Sequence, residues 1–173
     1  MPFTVIPAGV EELAHGEPRA VAEENARRKA LAIAYSTTEL VLGADTIVAV
    51  DGEILGKPRD AAQAHAHVRR LAGRTHTVVG GIALAAAGAV VAADVVETEV
   101  EFRPLSAEDV AAYVALGEWE GRAGGYAIQG RGAVLVRSVR GDYLNVVGLP
   151  LARLADLLPG DGLQRFLGAQ PVG

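Results

Sequence analysis

The dipeptide Asp51-Gly52 lies between two apolar runs and constrains the fold more than any other feature of the sequence. Asp-Gly is a favoured pair for a two-residue hairpin turn, because both turn positions need a positive φ. The runs at 40–50 and 53–55 are therefore predicted to form two antiparallel strands. The turn sets the register, and a ladder that continues far enough brings Thr46 opposite Lys57.

The remaining elements follow from hydrophobic periodicity and from capping residues. We expect an α/β single domain over residues 1–173, with a sheet built largely from hairpins. Residues 161–173 form a weakly patterned tail. Helices are predicted at 18–35, 60–71, 106–117 and 150–159, and further strands at 3–6, 75–87, 89–102 and 133–136.

The composition is that of a folded, acidic chain without cysteine. Hydrophobic residues make up 50% of the 173 residues and charged residues 21%, which argues against disorder. The absence of cysteine excludes disulfides and thiolate nucleophiles. A net charge of −5 without a basic run argues against a nucleic-acid polymer as partner. No apolar stretch is long enough to span a bilayer, so we expect a cytoplasmic protein that does not bind membranes.

An aspartate interrupts the apolar strand in the segment Gly43-Ala44-Asp45-Thr46. Burial of this carboxylate is costly unless it is paired or bound to a metal. The alternative is that the aspartate lies at a strand end, where its carboxylate accepts hydrogen bonds from nearby backbone N–H groups. Lys57, placed beside Asp45 by the hairpin, suits a phosphate site. Its alternative is a surface lysine before a turn.

Two further charged segments precede this strand. Lys29 shares a helix face with Asn25, and a solvated basic face is the competing interpretation. Glu11-Glu12 supplies either a carboxylate for a metal or a favourable charge at a helix start. Magnesium prefers such oxygen ligands.

The segment 121–132 is rich in glycine, which lets a backbone approach a ligand closely. Within it, Gln129 carries both a donor and an acceptor and can complement the edge of a nucleobase. A flexible loop is the alternative. The four histidines form no metal set: His65 and His67 point to different faces of a helix, and His76 is interpreted as structural.

Taken in order along the chain, these segments resemble the Maf family of nucleoside triphosphate pyrophosphatases, from about Phe3 to Leu158. The resemblance rests on many ordered motifs. They are 3–7 with Glu11-Glu12, Lys29-Ala30, 43–48, Gly56-Lys57-Pro58, 71–73 with His76, 98–105, 123–130, 141–143 and 147–151.

The resemblance implies an elongated α/β fold of the Maf and ITPase type, with a mixed sheet, flanking helices and a cleft between two lobes. It implies a homodimer and a hydrolase that splits a nucleoside triphosphate into monophosphate and pyrophosphate. The implied cofactor is a divalent cation, Mg or Mn, with Glu12 and Asp45 as its protein ligands.

The resemblance also assigns roles to single residues. Asp45 matches the proton acceptor that activates water, and Lys29 and Lys57 match positions that face the triphosphate. Thr46 and Gln129 match positions associated with base choice. The motif Tyr126-Ala127-Ile128-Gln129 resembles the branch that acts on dTTP and UTP. A glutamine carboxamide can meet the N3–H and O4 of uracil or thymine together, which agrees with this resemblance. The sister branch, which prefers 7-methylguanosine triphosphate, carries a Ser-Glu-type sequence there.

One departure from the family pattern concerns the beginning of the chain. The family's strand-helix unit with Ser-x-Ser-Pro-Arg-Arg has no counterpart here, and Arg19, Arg27 and Arg28 are not expected to replace it. We expect an upstream start or a truncated form. The alternative functions are a catalytically silent nucleotide-binding module that affects cell division, or a partner-binding domain that uses an open edge strand.

Overall fold

A five-stranded sheet with helices against it forms the described part of the chain, residues 3–160 and 162–168 of the computed structural model. In the order β2-β1-β3-β4-β5, the strands are β1 Val41–Val50, β2 Glu53–Leu55, β3 Thr75–Ala86, β4 Ala89–Phe102 and β5 Val136–Arg140. The helices are α1 Pro18–Ala34, α2 Ala61–Leu71, α3 Ala107–Ala115, α4 Tyr143–Val147, α5 Leu151–Leu157 and α6 Gly162–Leu167. Short 3₁₀ turns occupy Ala123–Gly125 and Gly130–Leu135.

The expected α/β class with flanking helices is confirmed. Every strand pairing in the sheet is antiparallel, whereas a mixed sheet was expected. The reason lies in the order of the strands. The hairpins β1–β2 and β3–β4 supply four of them, and β3 pairs with the side of β1 that does not face β2. Among the described helices, none is long and apolar enough to cross a bilayer.

The hairpin at Asp51-Gly52 is confirmed, but its ladder is shorter than expected. Pairing ends at Val48 with Leu55, so the predicted pairing of Thr46 with Lys57 is wrong. The carbonyl of the residue after Leu55 instead accepts the backbone N–H of Gly124, at 3.2 Å. Since β2 covers only the end of β1, the stretch 41–47 pairs with β3 on one side and has no strand partner on the other within the described residues, which leaves an unpaired edge.

Two predicted strands are misplaced. Residues 3–6 form no strand, and Phe3 is 81% exposed, because this segment pairs with none of the described strands. The strand predicted at 133–136 begins only at Val136, because the 3₁₀ turn Gly130–Leu135 precedes it. Apolar alternation marks a segment that can form a strand, but a ladder also needs a partner.

The C-terminal part contains more helix than predicted. The helix expected at 150–159 is α5, and α4 before it was not predicted. Part of the weakly patterned tail forms α6. Residues 161 and 169–173 lie outside the described residues.

Helix α1 packs unusually close to the sheet through small residues. Its alanines at 22, 26, 30 and 34 are fully buried or nearly so. A methyl group on Gly43 would lie 2.2 Å from the carbonyl oxygen of Ala26, and one on Gly81 would lie 2.1 Å from that of Ala22. Because Gly81 is the ladder partner of Asp45, this close packing brings α1 directly against the aspartate.

The other face of the sheet carries the main core. Successive residues of a strand point to opposite faces, so Ile47 packs against α1 while Val48 belongs to the main core on the other face. At the unpaired edge, the same alternation sends Asp45 towards α1 and Thr46 towards the opposite side. The buried residues of the main core include Val68, Leu71, Val78, Val100, Phe102, Val110 and Tyr126.

Candidate active site

A cavity of about 460 Å³ lies at the unpaired edge of β1. That volume falls in the range of small-molecule sites. Five of the residues singled out from the sequence contribute to its lining: Lys29, Asp45, Thr46, Lys57 and Gln129. The sixth, Glu12, is bonded to two of these residues, so the structure brings all six together. Their chemical roles remain predictions.

Asp45 is only 8% exposed, and two side chains from α1 hold it. Oδ1 lies 2.6 Å from Nζ of Lys29, and Oδ2 accepts a hydrogen bond from Nδ2 of Asn25 at 3.0 Å. These partners compensate for the desolvation of a buried carboxylate. The carboxylate therefore has a fixed orientation, set by side chains and not by the backbone amides of the alternative interpretation.

The ammonium group of Lys29 contacts three oxygen atoms. Besides Asp45, its Nζ contacts Oε1 of Glu12 at 2.8 Å and the carbonyl of Ala44 at 3.3 Å. Burial lowers the pKa of the ammonium, but its hydrogen bonds to Asp45 and Glu12 more than offset this effect, and the pKa is raised. Its side chain is 20% exposed, so Lys29 does not lie on a solvated face.

Glu12 connects the two lysines of the cavity. Its Oε2 lies 3.4 Å from Nζ of Lys57, and its Oε1 binds Lys29. The hydrogen bond from Lys29 is the main reason why the pKa of Glu12 is lowered, with smaller contributions from Lys57. This side of the cavity thus carries two carboxylates and two ammonium groups in one network.

Gln129 belongs to a segment that we call the Gln129 loop, residues 126–132. The backbone N–H of Ala127 donates to the hydroxyl of Tyr113 at 3.1 Å. The hydroxyl of Tyr126 lies 2.8 Å from Nε2 of His76. These two bonds fix the loop on the N-terminal side of Gln129, so the segment is a held structure and not the flexible loop of the alternative interpretation.

A family model described as "Maf-like protein" matches residues 1–160. The chain belongs to the Maf family. Several curated relatives carry the name dTTP/UTP pyrophosphatase. The protein of Symbiobacterium thermophilum is 46% identical over 171 residues, which cover 97% of this chain and 88% of the relative. That of Paramagnetospirillum magneticum is 47% identical, with 94% and 87% covered. That of Thermococcus onnurineus is 46% identical, with 86% and 81% covered.

The carboxylates of this Maf protein fit a divalent cation that keeps much of its water. Glu12, Asp45 and the carbonyl of Ala44 all contact Nζ of Lys29, so three hard oxygen donors lie close together. No group of three or more acidic or histidine side chains suited to a metal occurs among the described residues. Such a sparse set suits Mg²⁺, which typically uses one or two carboxylates, waters and substrate phosphates.

The three arginines of α1 form ion pairs away from the cavity. Each forms an ion pair with a glutamate, and none of the three lines the cavity. The pairs are Arg19 with Glu97 at 2.9 Å, Arg27 with Glu23 at 2.9 Å, and Arg28 with Glu24 at 2.8 Å.

Sequence reasoning missed three residues of the site. Asn25 was noted only as a neighbour of Lys29, although its helical spacing pointed to the same face. Glu118 and Arg122 line the cavity just before and within the glycine-rich segment. Across the described residues, the Arg122 guanidinium forms neither a hydrogen bond nor an ion pair. A charged residue beside a glycine-rich segment was the available signal for both.

Proposed function

We propose that this Maf protein hydrolyses dTTP and UTP to the nucleoside monophosphate and pyrophosphate. The observation that carries the proposal is the buried Asp45, held by Asn25 and Lys29 in a cavity that Gln129 also lines. The family membership supports it, as do relatives named dTTP/UTP pyrophosphatase that are 46–47% identical.

In the proposed reaction, water attacks the α-phosphorus while the bond from that phosphorus to the bridging oxygen breaks. Asp45 orients the water and accepts its proton, and pyrophosphate leaves. A fixed carboxylate is effective because it contributes both orientation and proton transfer without reorganising during the reaction. The bonds from Asn25 and Lys29 supply that fixed geometry.

Cationic side chains would bind the triphosphate. Lys57 lines the cavity, and the segment that contains Arg122 lies beside it, because Gly124 bonds to the carbonyl just before Lys57. A free guanidinium can bind phosphate oxygens through two parallel hydrogen bonds. Lys57 and Arg122 would therefore stabilise the negative charge on the departing pyrophosphate, with Lys29 nearer the α-phosphate.

The proposed cofactor is Mg or Mn, with Asp45 and Glu12 as its protein ligands. When bound, a divalent cation supplies Lewis-acid polarisation of the phosphate and neutralises its charge. Removal of divalent ions with EDTA should abolish pyrophosphate release, and Mg²⁺ or Mn²⁺ should restore it. Full activity in EDTA would contradict this part of the proposal.

Thr46 and Gln129 are the proposed residues for base selection. The Gln129 carboxamide offers an acceptor to N3–H and a donor to O4 of uracil or thymine. Cytosine presents an acceptor and an amine at these places, so a fixed carboxamide would lose both bonds. A site built for such a paired contact can discriminate strongly, by a factor of about 10⁴ in favourable cases.

The experiment that tests the proposal measures pyrophosphate release from dTTP, UTP, CTP and 7-methylguanosine triphosphate, with Mg²⁺ or Mn²⁺. Turnover of dTTP and UTP that is lost in Asp45→Ala would support it. Asp51→Asn, which changes an exposed carboxylate at the hairpin turn, is the matched control. Binding of UTP without turnover would instead favour the silent nucleotide-binding module.

The oligomeric state is a separate proposal. By resemblance to its family, the chain is proposed to form a homodimer. Light scattering coupled to size-exclusion chromatography tests this directly, and a monomer at assay concentration would overturn it.

A further inference from the structure

Glu118 places a carboxylate in the wall of a cavity proposed to bind a polyanion. Its two oxygens have different partners: Oε1 accepts the backbone N–H of Arg131 at 3.1 Å, and Oε2 accepts that of Gly132 at 3.0 Å. Both oxygens of this carboxylate thus bond to the backbone of one short segment, residues 131–132. Its contacts point to a role in holding the backbone.

That backbone is the part of the Gln129 loop that directly follows Gln129. Gly130 has φ +66°, a conformation that side chains other than glycine rarely adopt. A methyl group there would also lie 3.1 Å from Oε1 of Glu118. The bare glycine therefore lets the carboxylate approach the loop and reach the two amides beyond it.

Gln129 is thus held from both sides. Tyr113 and His76 fix the loop at residues 126–127, and Glu118 fixes it at residues 131–132. Hydrogen bonds to a charged acceptor are stronger than neutral ones, so the Glu118 bonds form the firmer of the two attachments. Without them, two backbone amides would need new partners, and the loop would shift.

We propose that Glu118 is a positioning residue that sets Gln129 for selection of a uracil or thymine base. This inference rests on the proposed function, because it deepens the role of the same cavity. Selection by a carboxamide depends on simultaneous alignment with N3–H and O4. A displaced loop would loosen that alignment while leaving Asp45 and the triphosphate contacts in place.

The test compares kcat/KM for dTTP with kcat/KM for dCTP in Glu118→Gln and in the wild type. The variant keeps the shape of the side chain but turns an NH₂ group towards one backbone N–H, so one of the two bonds is lost. We expect the dTTP:dCTP ratio to fall at least about tenfold, mainly through a higher KM for dTTP. A merely structural role would lower both values by the same factor.

Glu120→Gln is the matched control, since it makes the same change at an exposed position two residues away. It should keep the wild-type ratio. Amide hydrogen exchange gives a readout that does not depend on activity: Arg131 and Gly132 should exchange faster in Glu118→Gln and at the wild-type rate in Glu120→Gln. If Glu118→Gln does not fold, Gly130→Ala replaces it and should lower the ratio in the same way.

The two proposals fail in distinguishable ways. Wild-type protein that does not prefer dTTP over dCTP refutes the proposed function, and the role of Glu118 with it. A wild-type preference that Glu118→Gln retains in full refutes only the role of Glu118. Faster exchange at Arg131 and Gly132 with an unchanged ratio has the same meaning, because it shows that the released loop does not govern selection.

Discussion

Asn25 donates from Nδ2 to Oδ2 of Asp45 at 3.0 Å, and the same side chain bonds to both backbone groups of Leu13. One buried amide therefore ties the proposed catalytic carboxylate to the N-terminal segment that carries Glu12. This arrangement makes Asn25 a support for two parts of the site at once, although it offers no reactive group of its own.

Replacement of Asn25 by Ala should lower kcat by about 10–100-fold with a smaller change in KM, because Asp45 loses one of its two orienting bonds. Steady-state kinetics with dTTP checks this expectation. Glu24→Gln changes the neighbouring residue of the same helix, a half-buried glutamate that pairs with Arg28 and does not line the cavity, and should leave kcat within about twofold. Equal rates for Asn25→Ala and the control would show that Lys29 alone orients Asp45.

Replacement of Lys29 by Gln should raise the pKa of Glu12. The hydrogen bond from Lys29 is the largest cause of its lowered value, and Lys57 contributes less. Lys57→Gln should therefore raise the same pKa by a smaller amount. An NMR titration of the Glu12 carboxyl carbon measures both shifts without reference to activity. A larger shift in Lys57→Gln than in Lys29→Gln would contradict the closer contact of Glu12 with Lys29 than with Lys57.

The sequence predicted local features well because each depends on neighbouring residues. Asp51-Gly52 determines its own turn and the first pairs of the ladder, and Ser106 with Asp109 forms a capping box at the start of α3. At the start of α2, the side chain of Asp60 accepts the backbone N–H of Gln63, and the side chain of Gln63 accepts the backbone N–H of Arg59. Such short-range signals placed most helices and strands within a few residues.

Long-range contacts account for what the sequence did not predict. Glu118 acts on an amide 13 residues away, and nothing in its own segment indicates that partner. The start of β5 was misplaced for the same reason, since Glu118 holds Gly132 in a turn. The site residues were found through motifs, whereas their mutual contacts depend on the approach of α1 to the sheet at Gly81.

Gly81→Ala should destabilise the protein and also weaken catalysis. The new methyl group would lie 2.1 Å from the carbonyl oxygen of Ala22, so α1 must move away from the sheet. Overpacking of this kind costs about 1–3 kcal/mol in the free energy of unfolding. Because Gly81 pairs with Asp45, the same movement would separate Asp45 from its partners on α1.

Urea denaturation and dTTP turnover check the two effects of Gly81→Ala. Gly56→Ala is the control for stability, since a methyl group there would meet no atom within 4 Å. It should change the free energy of unfolding by less than about 0.5 kcal/mol. Wild-type stability for Gly81→Ala would show that α1 can shift without cost, and the proposed dependence of the site on close packing would then be wrong.

His76 should make the stability of the fold depend on pH between about 6.5 and 4. Burial lowers the pKa of this imidazole from 6.5 to about 4. In that window the unfolded chain binds a proton that the folded protein does not, so the free energy of unfolding decreases as the pH falls. The full loss on reaching pH 4 is roughly 3 kcal/mol, and none of it occurs above pH 7.

Urea denaturation at pH 7 and pH 4.5 should show most of this loss in the wild type and in His15→Gln, which alters an exposed histidine. His76→Gln should be less stable at pH 7, because Tyr126 loses its partner, yet should lose less stability on acidification. An equal loss in His76→Gln and the wild type would mean that other groups cause the pH dependence.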